Sequence, residues 1–172
     1  MSNTDKKIRL LTVTALLTAL TAVSTILIQI PTPTKGYVNL GDCLVNISAW
    51  MLGPVYGAAA GGIGSAIADI ISGYFIYAPA TLIIKALMAV VSFFVFSAVN
   101  KHSKTLTARI VAAVSAEIVM SLGYTLYEAF LYHSPSVFIT GIPGNIAQSV
   151  MGVIGSVAVY ELVLKHIPRT AR

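Results

Sequence analysis

The amino-acid sequence predicts an all-α fold, an integral membrane bundle of six transmembrane helices. Of the 172 residues, 56% are hydrophobic and only 10% are charged, whereas a soluble domain usually carries about 25% charged residues. The mean hydropathy is +0.84. These values leave too few charges to cover a water-soluble globule. They exclude a soluble enzyme, a disordered chain and a disulfide-stapled secreted domain.

Apolar runs separated by short polar breaks define the spans, because roughly 20 apolar residues are needed to cross the hydrocarbon core. In a single domain over residues 1–172, the predicted spans are approximately 9–30, 40–52, 54–73, 79–100, 107–131 and 143–165. The second and third are separated at Gly53-Pro54, since proline disrupts a helix interior but suits a first turn. The second span is short for a crossing, so it is either shielded by its neighbours or extended into flanking residues.

The basic residues predict that both termini are cytoplasmic. With six spans, nine of the 11 lysines and arginines lie on the cytoplasmic side, while Lys35 is outside and Lys85 is within a span. A single span between residues 40 and 72 would move six of those nine outside, against the positive-inside bias. The first span continues to Ile30, which is too long for the apolar core of a signal peptide.

Polar side chains of four different spans lie at a similar depth, near the outer face. They are Asp69, Lys85, Tyr124, Glu128, Asn145 and Gln148. Ionisable groups within a membrane are costly and mark functional sites. We therefore predict a substrate-binding site in the outer third of the bundle, covered by the loops 31–42 and 73–78.

Tyrosines support the same location, since six of the eight, Tyr77 among them, lie at or near the outer face. An aromatic pocket with a few hydrogen-bonding groups suits a small, flat, polar heterocycle.

Structural roles are the alternative for the same side chains. Asp69 can bond to a neighbouring helix, and Lys85 can reach the surface or pair with Asp69 or Glu128. Asn145 can cap the last span.

Three further acidic residues have structural interpretations. We predict that Asp42 is the N-cap of the second span and that Glu161 is solvated. Glu117 lies nearer the middle of the membrane and is expected to be protonated or bonded to a neighbour.

Small residues recur at helical spacing in two spans. Gly57, Gly61 and Ser65 in the third span favour close helix packing. In the first span Ala15, Ala19 and Ala22 form a small-residue face, which can pack within the bundle or dock a second membrane protein.

Motifs for catalysis, metals and nucleotides are absent from the sequence. There is no phosphate-binding loop, no H-E-x-x-H, no nucleophile elbow and no cysteine–histidine cluster. We therefore predict no catalytic residues, no metal site and no cofactor bound by this chain. The basic residues lie at segment ends, which argues against a nucleic-acid partner.

Four stretches carry a resemblance to a known family: residues 36–42 (GYVNLGD), 53–57 (GPVYG) with the run to Asp69, 78–85 (APATLIIK) and 142–148 (IPGNIAQ). In their order and spacing the chain resembles the substrate-binding S components of energy-coupling factor (ECF) transporters, which import vitamins in prokaryotes. Asn39 in the first stretch and Tyr77 before the third complete the predicted substrate-binding set.

The resemblance implies a multi-pass protein of the prokaryotic cytoplasmic membrane with a vitamin site near the outer face. It assigns the face of Ala15, Ala19 and Ala22 to docking on a transmembrane coupling subunit, the T component, which two ATPase subunits drive. ATP is then used by these partners. The branch of the family that the chain resembles most is associated with riboflavin, hydroxymethylpyrimidine and pyridoxine. Tyr77 stands where that branch often has tryptophan, and we favour a small pyrimidine or pyridine over riboflavin.

Two other classes of function remain as alternatives. A self-sufficient ion-coupled secondary transporter or small channel would use Asp69, Glu117 or Glu128 as a proton carrier. A membrane-embedded enzyme would need a catalytic pair of acids, for which the sequence offers no motif.

Overall fold

A computed structural model describes residues 2–32, 37–134 and 136–166. The elements in chain order are α1 (Asn3–Leu27), β1 (Ile30–Pro31), β2 (Tyr37–Val38), α2 (Gly41–Ile71), α3 (Ala78–Val99), α4 (Thr105–Tyr132), α5 (Val137–Thr140), α6 (Ile142–Leu162) and the 3₁₀ turn η1 (Leu164–His166). Within the described residues, five helices are long and apolar enough to cross a membrane. Three of the basic residues from which the orientation was predicted lie outside the described residues: Lys35, Arg169 and Arg172.

Helix boundaries follow local capping chemistry. α1 begins at Asn3 rather than at residue 9, because Ser2 and Asp5 form a reciprocal capping box at its start. α3 and α6 each carry proline in the first turn, where the missing N–H needs no partner. α1 ends before Pro31, which lies in a short antiparallel β-hairpin with Pro31 opposite Tyr37.

Helix α2 reverses direction at Gly53, whose φ of 82° and ψ of −177° lie outside the helical region. A Cβ atom placed on Gly57 would lie 2.7 Å from Ala49 Cα, and one on Gly61 would lie 3.0 Å from the Val45 side chain. Residues 45 and 61 would be about 24 Å apart in a straight helix. The first arm (residues 41–52) and the second arm (54–71) therefore pack side by side.

The first arm of α2 occupies the centre of the bundle. Its buried residues are Asp42, Cys43, Val45, Asn46, Ile47, Ser48 and Ala49. The neighbouring helices thus shield this segment, which is one of the two predicted explanations for its short length. Glycines permit the close approach of helices: a Cβ on Gly152 of α6 would lie 3.1 Å from Asp42 Cβ, and one on Gly64 would overlap Thr21 of α1.

The apolar core is built from small and flexible side chains, and the large ones face outward. Val45, Ala49, Met88, Ala89, Ala116 and Met120 form one cluster with 0% exposure. By contrast Leu27 is 75% exposed, Phe130 74% and Ile154 63%. An apolar exterior around a small-residue interior is the pattern of helix bundles in lipid.

The two ends of the bundle differ chemically. At the end that carries the β-hairpin, the cavity end, Gln29 of the α1–β1 connection donates to Ser72 at 2.8 Å. At the opposite end Arg109 of α4 pairs with Glu161 of α6 and lies 3.7 Å from the centre of the Tyr160 ring. Glu161 is 22% exposed, so it keeps contact with solvent as predicted, and its carboxylate also accepts from Arg109 and from Lys165.

Candidate binding cavity

One cavity opens at the cavity end of the bundle, beneath the β-hairpin. It contains about 540 Å³ of empty space, its open mouth included. The structure brings all eight residues of the predicted substrate-binding set to its wall: Asn39, Asp69, Tyr77, Lys85, Tyr124, Glu128, Asn145 and Gln148. They come from the β2–α2 connection (Asn39), α2, the N-cap of α3 (Tyr77) and α3 itself, α4 and α6.

The innermost charge of the cavity is a buried ion pair. Lys85 Nζ donates to Asp42 Oδ1, and the two side chains are 1% and 0% exposed. The alternative pairing of Lys85 with Asp69 or Glu128 is not formed. Asp42 is also not an N-cap: Leu40 holds that position, and Asp42 faces inward from the first turn of α2. A buried ammonium needs a carboxylate partner, which explains why Asp42 turns toward it.

Two amides are fixed above this pair. Gln148 Nε2 donates to Asp42 Oδ2 at 2.7 Å, and its Oε1 accepts from the Asn39 backbone N–H at 3.1 Å and from Asn39 Nδ2 at 3.3 Å. Asn39 Oδ1 in turn accepts from the Gly41 N–H at 2.8 Å. These bonds join α6, the hairpin and the start of α2 in one arrangement.

Tyrosines form the aromatic wall and hold the cavity acids. Tyr37 donates to Asp69, and Tyr77 donates to Glu128 Oε1 at 3.3 Å. Burial raises the pKa of the Tyr37 phenol, and the neighbouring Asp69 raises it further. Burial also raises the pKa of Tyr77. Both phenols therefore stay protonated as donors at neutral pH.

Tyr124 forms the wall next to Lys85. Its hydroxyl lies 3.0 Å from Thr81 Oγ1, and Lys85 Nζ lies 5.2 Å from the centre of its ring. The ring thus contributes a flat face beside the buried cation.

Asp69 gives the cavity an acidic hydrogen-bond acceptor. The residue is 4% exposed, and in the part of the chain that the structure describes its Oδ2 has no hydrogen-bond partner. Lys85 is already bonded to Asp42. The wall at Asp69 therefore favours a ligand group that donates a hydrogen bond or carries positive charge.

Asn145 connects helices instead of capping one. Its Nδ2 donates to Thr125 Oγ1 of α4 at 3.2 Å, while Gly141 is the N-cap of α6. The capping alternative is therefore wrong.

Comparisons with known proteins identify the family to which the chain belongs. Residues 5–165 match the family model described as ECF-type riboflavin transporter, S component. The chain belongs to this family of S components. It is also 35% identical over 133 residues to a Pyrococcus woesei protein named "Uncharacterized protein in gap 3'region", covering 77% of this chain and 86% of the relative. As an S component, the chain is the substrate-binding subunit of an ECF importer and thus a transport protein.

The S component has five further polar residues on the cavity wall that were not in the predicted substrate-binding set: Thr25, Thr32, Tyr37, Ser65 and Thr81. Two of them had a detectable signal. Ser65 precedes Asp69 by four residues and Thr81 precedes Lys85 by four, so each shares a helix face with a selected residue. Tyr37 reaches the cavity only through the hairpin, which no sequence spacing indicates.

The small-residue face of α1 divides in the structure. Ala15 and Ala19 are exposed, whereas Ala22 is buried at 8% exposure. Ala22 therefore lies outside any exposed docking surface of the S component, because the helix turns it toward the bundle.

Proposed function

We propose that this S component captures a small B-vitamin or vitamin precursor in the hairpin-covered cavity and delivers it inward by docking on an ATP-driven ECF module. The observation that carries the proposal is the convergence of eight polar and aromatic side chains on one cavity in a chain of the S component family. A concave site with a few placed polar groups is typical of small-molecule recognition.

The proposed topology has six membrane crossings with both termini in the cytoplasm of a prokaryotic cell. The reversal of α2 at Gly53 supports six crossings, because its two arms pack antiparallel. Lys101 and Lys104 lie in the α3–α4 connection, at the end away from the cavity. The positive-inside bias places such residues in the cytoplasm, so the cavity faces outward.

The chemistry of the cavity favours a heteroaromatic ligand that donates hydrogen bonds. Asp69 offers a carboxylate oxygen that has no partner among the described residues, and tyrosine rings supply flat apolar walls. An aminopyrimidine or a hydroxylated pyridine provides both N–H or O–H donors and a ring to stack. We favour hydroxymethylpyrimidine or pyridoxine, with riboflavin next, and we expect phosphorylated forms to be rejected because Asp69 would face their negative charge.

Delivery is proposed to depend on partner subunits. The chain has no phosphate-binding loop, so ATP would be hydrolysed by two ATPase subunits bound to a transmembrane T component. The exposed face of Ala15 and Ala19 is small enough for a partner helix to approach closely, and we assign the contact with the T component to it.

Thermal stabilisation tests the binding role. A ligand that binds only the folded protein raises the melting temperature, by an amount that grows with its concentration over Kd. The purified S component should be stabilised by hydroxymethylpyrimidine or pyridoxine and not by their phosphate esters. Loss of the effect in Gln148→Leu would locate it in the cavity. If none of the three vitamins shifts the melting temperature, the substrate assignment is wrong.

Uptake into liposomes separates this proposal from an ion-coupled transporter. Vesicles that contain the S component alone should accumulate no labelled vitamin, since the driving subunits are missing. Concentrative uptake by the chain alone under a proton gradient would contradict the proposal.

A further inference from the structure

Beneath the cavity, three ionisable groups from three helices are buried together: Asp42 of α2, Lys85 of α3 and Glu117 of α4. Their exposed fractions are 0%, 1% and 2%. A Cβ on Gly152 of α6 would lie 2.8 Å from Glu117 Cδ and 3.1 Å from Asp42 Cβ, so the two acids meet at this glycine. One lysine cannot neutralise two carboxylates, and an uncompensated charge in the membrane interior is strongly unfavourable. The cluster must therefore hold one proton on an acid.

The hydrogen bonds identify which acid is ionised. Asp42 accepts on both oxygens, from Lys85 Nζ at Oδ1 and from Gln148 Nε2 at Oδ2, which a protonated carboxyl group would do poorly. Glu117 accepts only from Asn46 Nδ2, at 3.3 Å on Oε1. Its Oε2 has no hydrogen-bond partner among the described residues and is the natural place for a proton.

We propose that Glu117 is held as a neutral acid and is a positioning residue for the cavity. By carrying the proton it leaves Asp42 ionised, and Asp42 then fixes both Lys85 and Gln148. If the proton moved to Asp42, that residue would lose an acceptor and Gln148 would lose the partner that orients its amide. The inference concerns the free protein and does not depend on which vitamin binds.

Lys85 is the one cation near Glu117 among the described residues, and it is paired with Asp42. The titratable groups that face it are Asp42, Lys85 and the buried thiol of Cys43. Asn46 is fixed from the other side by Ser92 Oγ, which donates to its Oδ1 at 2.7 Å, and α6 presents Gly152.

Two isosteric variants of the full chain in detergent distinguish the two positions of the proton. Glu117→Gln replaces a neutral acid by a neutral amide, so we expect its melting temperature within about 3 °C of the wild type. Asp42→Asn leaves Lys85 without its counter-ion and should lower the melting temperature by roughly 10 °C. The double variant Asp42→Asn/Lys85→Gln removes both charges and should recover much of that loss.

Infrared spectroscopy detects a protonated carboxyl group directly. It is a sufficient test of the proton's position if Asp42→Asn does not fold. The carbonyl-stretch band of protonated carboxylic acids should be present in the wild type and should lose one component in Glu117→Gln, whatever Asp69 and Glu128 contribute to it. Glu161→Gln is the control, because Glu161 is paired with Arg109 and Lys165 and its loss should leave the band unchanged. The proposal is overturned if the band is the same in Glu117→Gln as in the wild type, or if Glu117→Gln destabilises the protein as much as Asp42→Asn does.

Discussion

Single residues of the cavity fall into two groups that differ in how their polar atoms are satisfied. Gln148 bonds to the protein at both ends of its amide and Lys85 is paired with Asp42, so both residues mainly hold the floor of the cavity in place. Asp69 keeps one oxygen without a partner among the described residues. Because a buried acceptor without a partner is costly, a ligand donor at this oxygen would gain more than one placed at the floor.

The residue with the largest expected effect on binding is accordingly Asp69. Asp69→Asn removes the charge with little change in shape, and the loss of a charge-assisted hydrogen bond of about 1.5–3 kcal/mol corresponds to roughly 10- to 100-fold weaker vitamin binding. Isothermal titration of both proteins measures the change. Asp5→Asn is the control, since Asp5 is exposed at the start of α1. Equal affinity of Asp69→Asn and wild type would remove Asp69 from the binding site.

The sequence was sufficient to predict eight residues of the cavity wall, but it did not predict which side chains they bond to. Depth along each span could be counted from its ends, which is why residues from separate helices were expected to meet. The pairing of Lys85 with Asp42 depends on how two helices are rotated against each other, and neither sequence spacing nor composition determines that rotation. Asp42 was consequently assigned to a helix cap when it is the counter-ion of the cavity.

Among the elements, α2 organises the bundle. Its first arm is buried and contributes Asp42 and Asn46 to the interior polar network, while its second arm brings Asp69 to the cavity wall. Both placements require the two arms to pack closely, and Gly57 makes this possible because a Cβ there would lie 2.7 Å from Ala49 Cα.

Gly57→Ala should therefore push the arms apart. The obstacle is backbone and cannot rotate away, so we expect a loss of about 1–3 kcal/mol, or several degrees in melting temperature. Val55→Leu in the same arm is the control, because Val55 is 72% exposed and its side chain has room to grow. A melting temperature of Gly57→Ala equal to that of the control would show that the arms are not closely packed.

The sequence predicted the helices of the bundle better than the connections between them. The Gly53-Pro54 break was predictable from the two residues that occupy it, and α3 begins and ends within one residue of its predicted limits. The β-hairpin over the cavity and the short helix α5 were not predicted. Each has only two to four residues, too few for a hydrophobic period to be recognised.

For the whole molecule, the central question is how a small membrane bundle whose sequence contains no phosphate-binding loop takes part in import. The S component separates two surfaces: a cavity at one end, and an apolar exterior on which Ala15 and Ala19 are the small exposed residues of α1 that we assign to docking. Binding and docking should then respond to different substitutions.

Ala15→Leu/Ala19→Leu tests the docking surface. The larger side chains point away from the bundle, so folding and vitamin affinity should be nearly unchanged, while recovery of the T component in a pull-down should fall several-fold because the helices can no longer approach closely. Ala22→Leu is a contrasting variant that should destabilise the fold itself, since Ala22 is buried. Equal recovery of the complex with the exposed-face variant would contradict the assignment.

Direct measurement of vitamin affinity tests the account most sharply. Hydroxymethylpyrimidine, pyridoxine and riboflavin should each be titrated into three proteins, and equilibrium binding should be measured. The proteins are the wild type, the cavity variant Gln148→Leu and the exterior variant Ala15→Leu/Ala19→Leu. We predict saturable binding of at least one of these vitamins, weakened roughly tenfold or more by the cavity substitution and unaffected by the exterior one. Absence of saturable binding for all three, or the same affinity in the cavity variant, would contradict the proposed vitamin site.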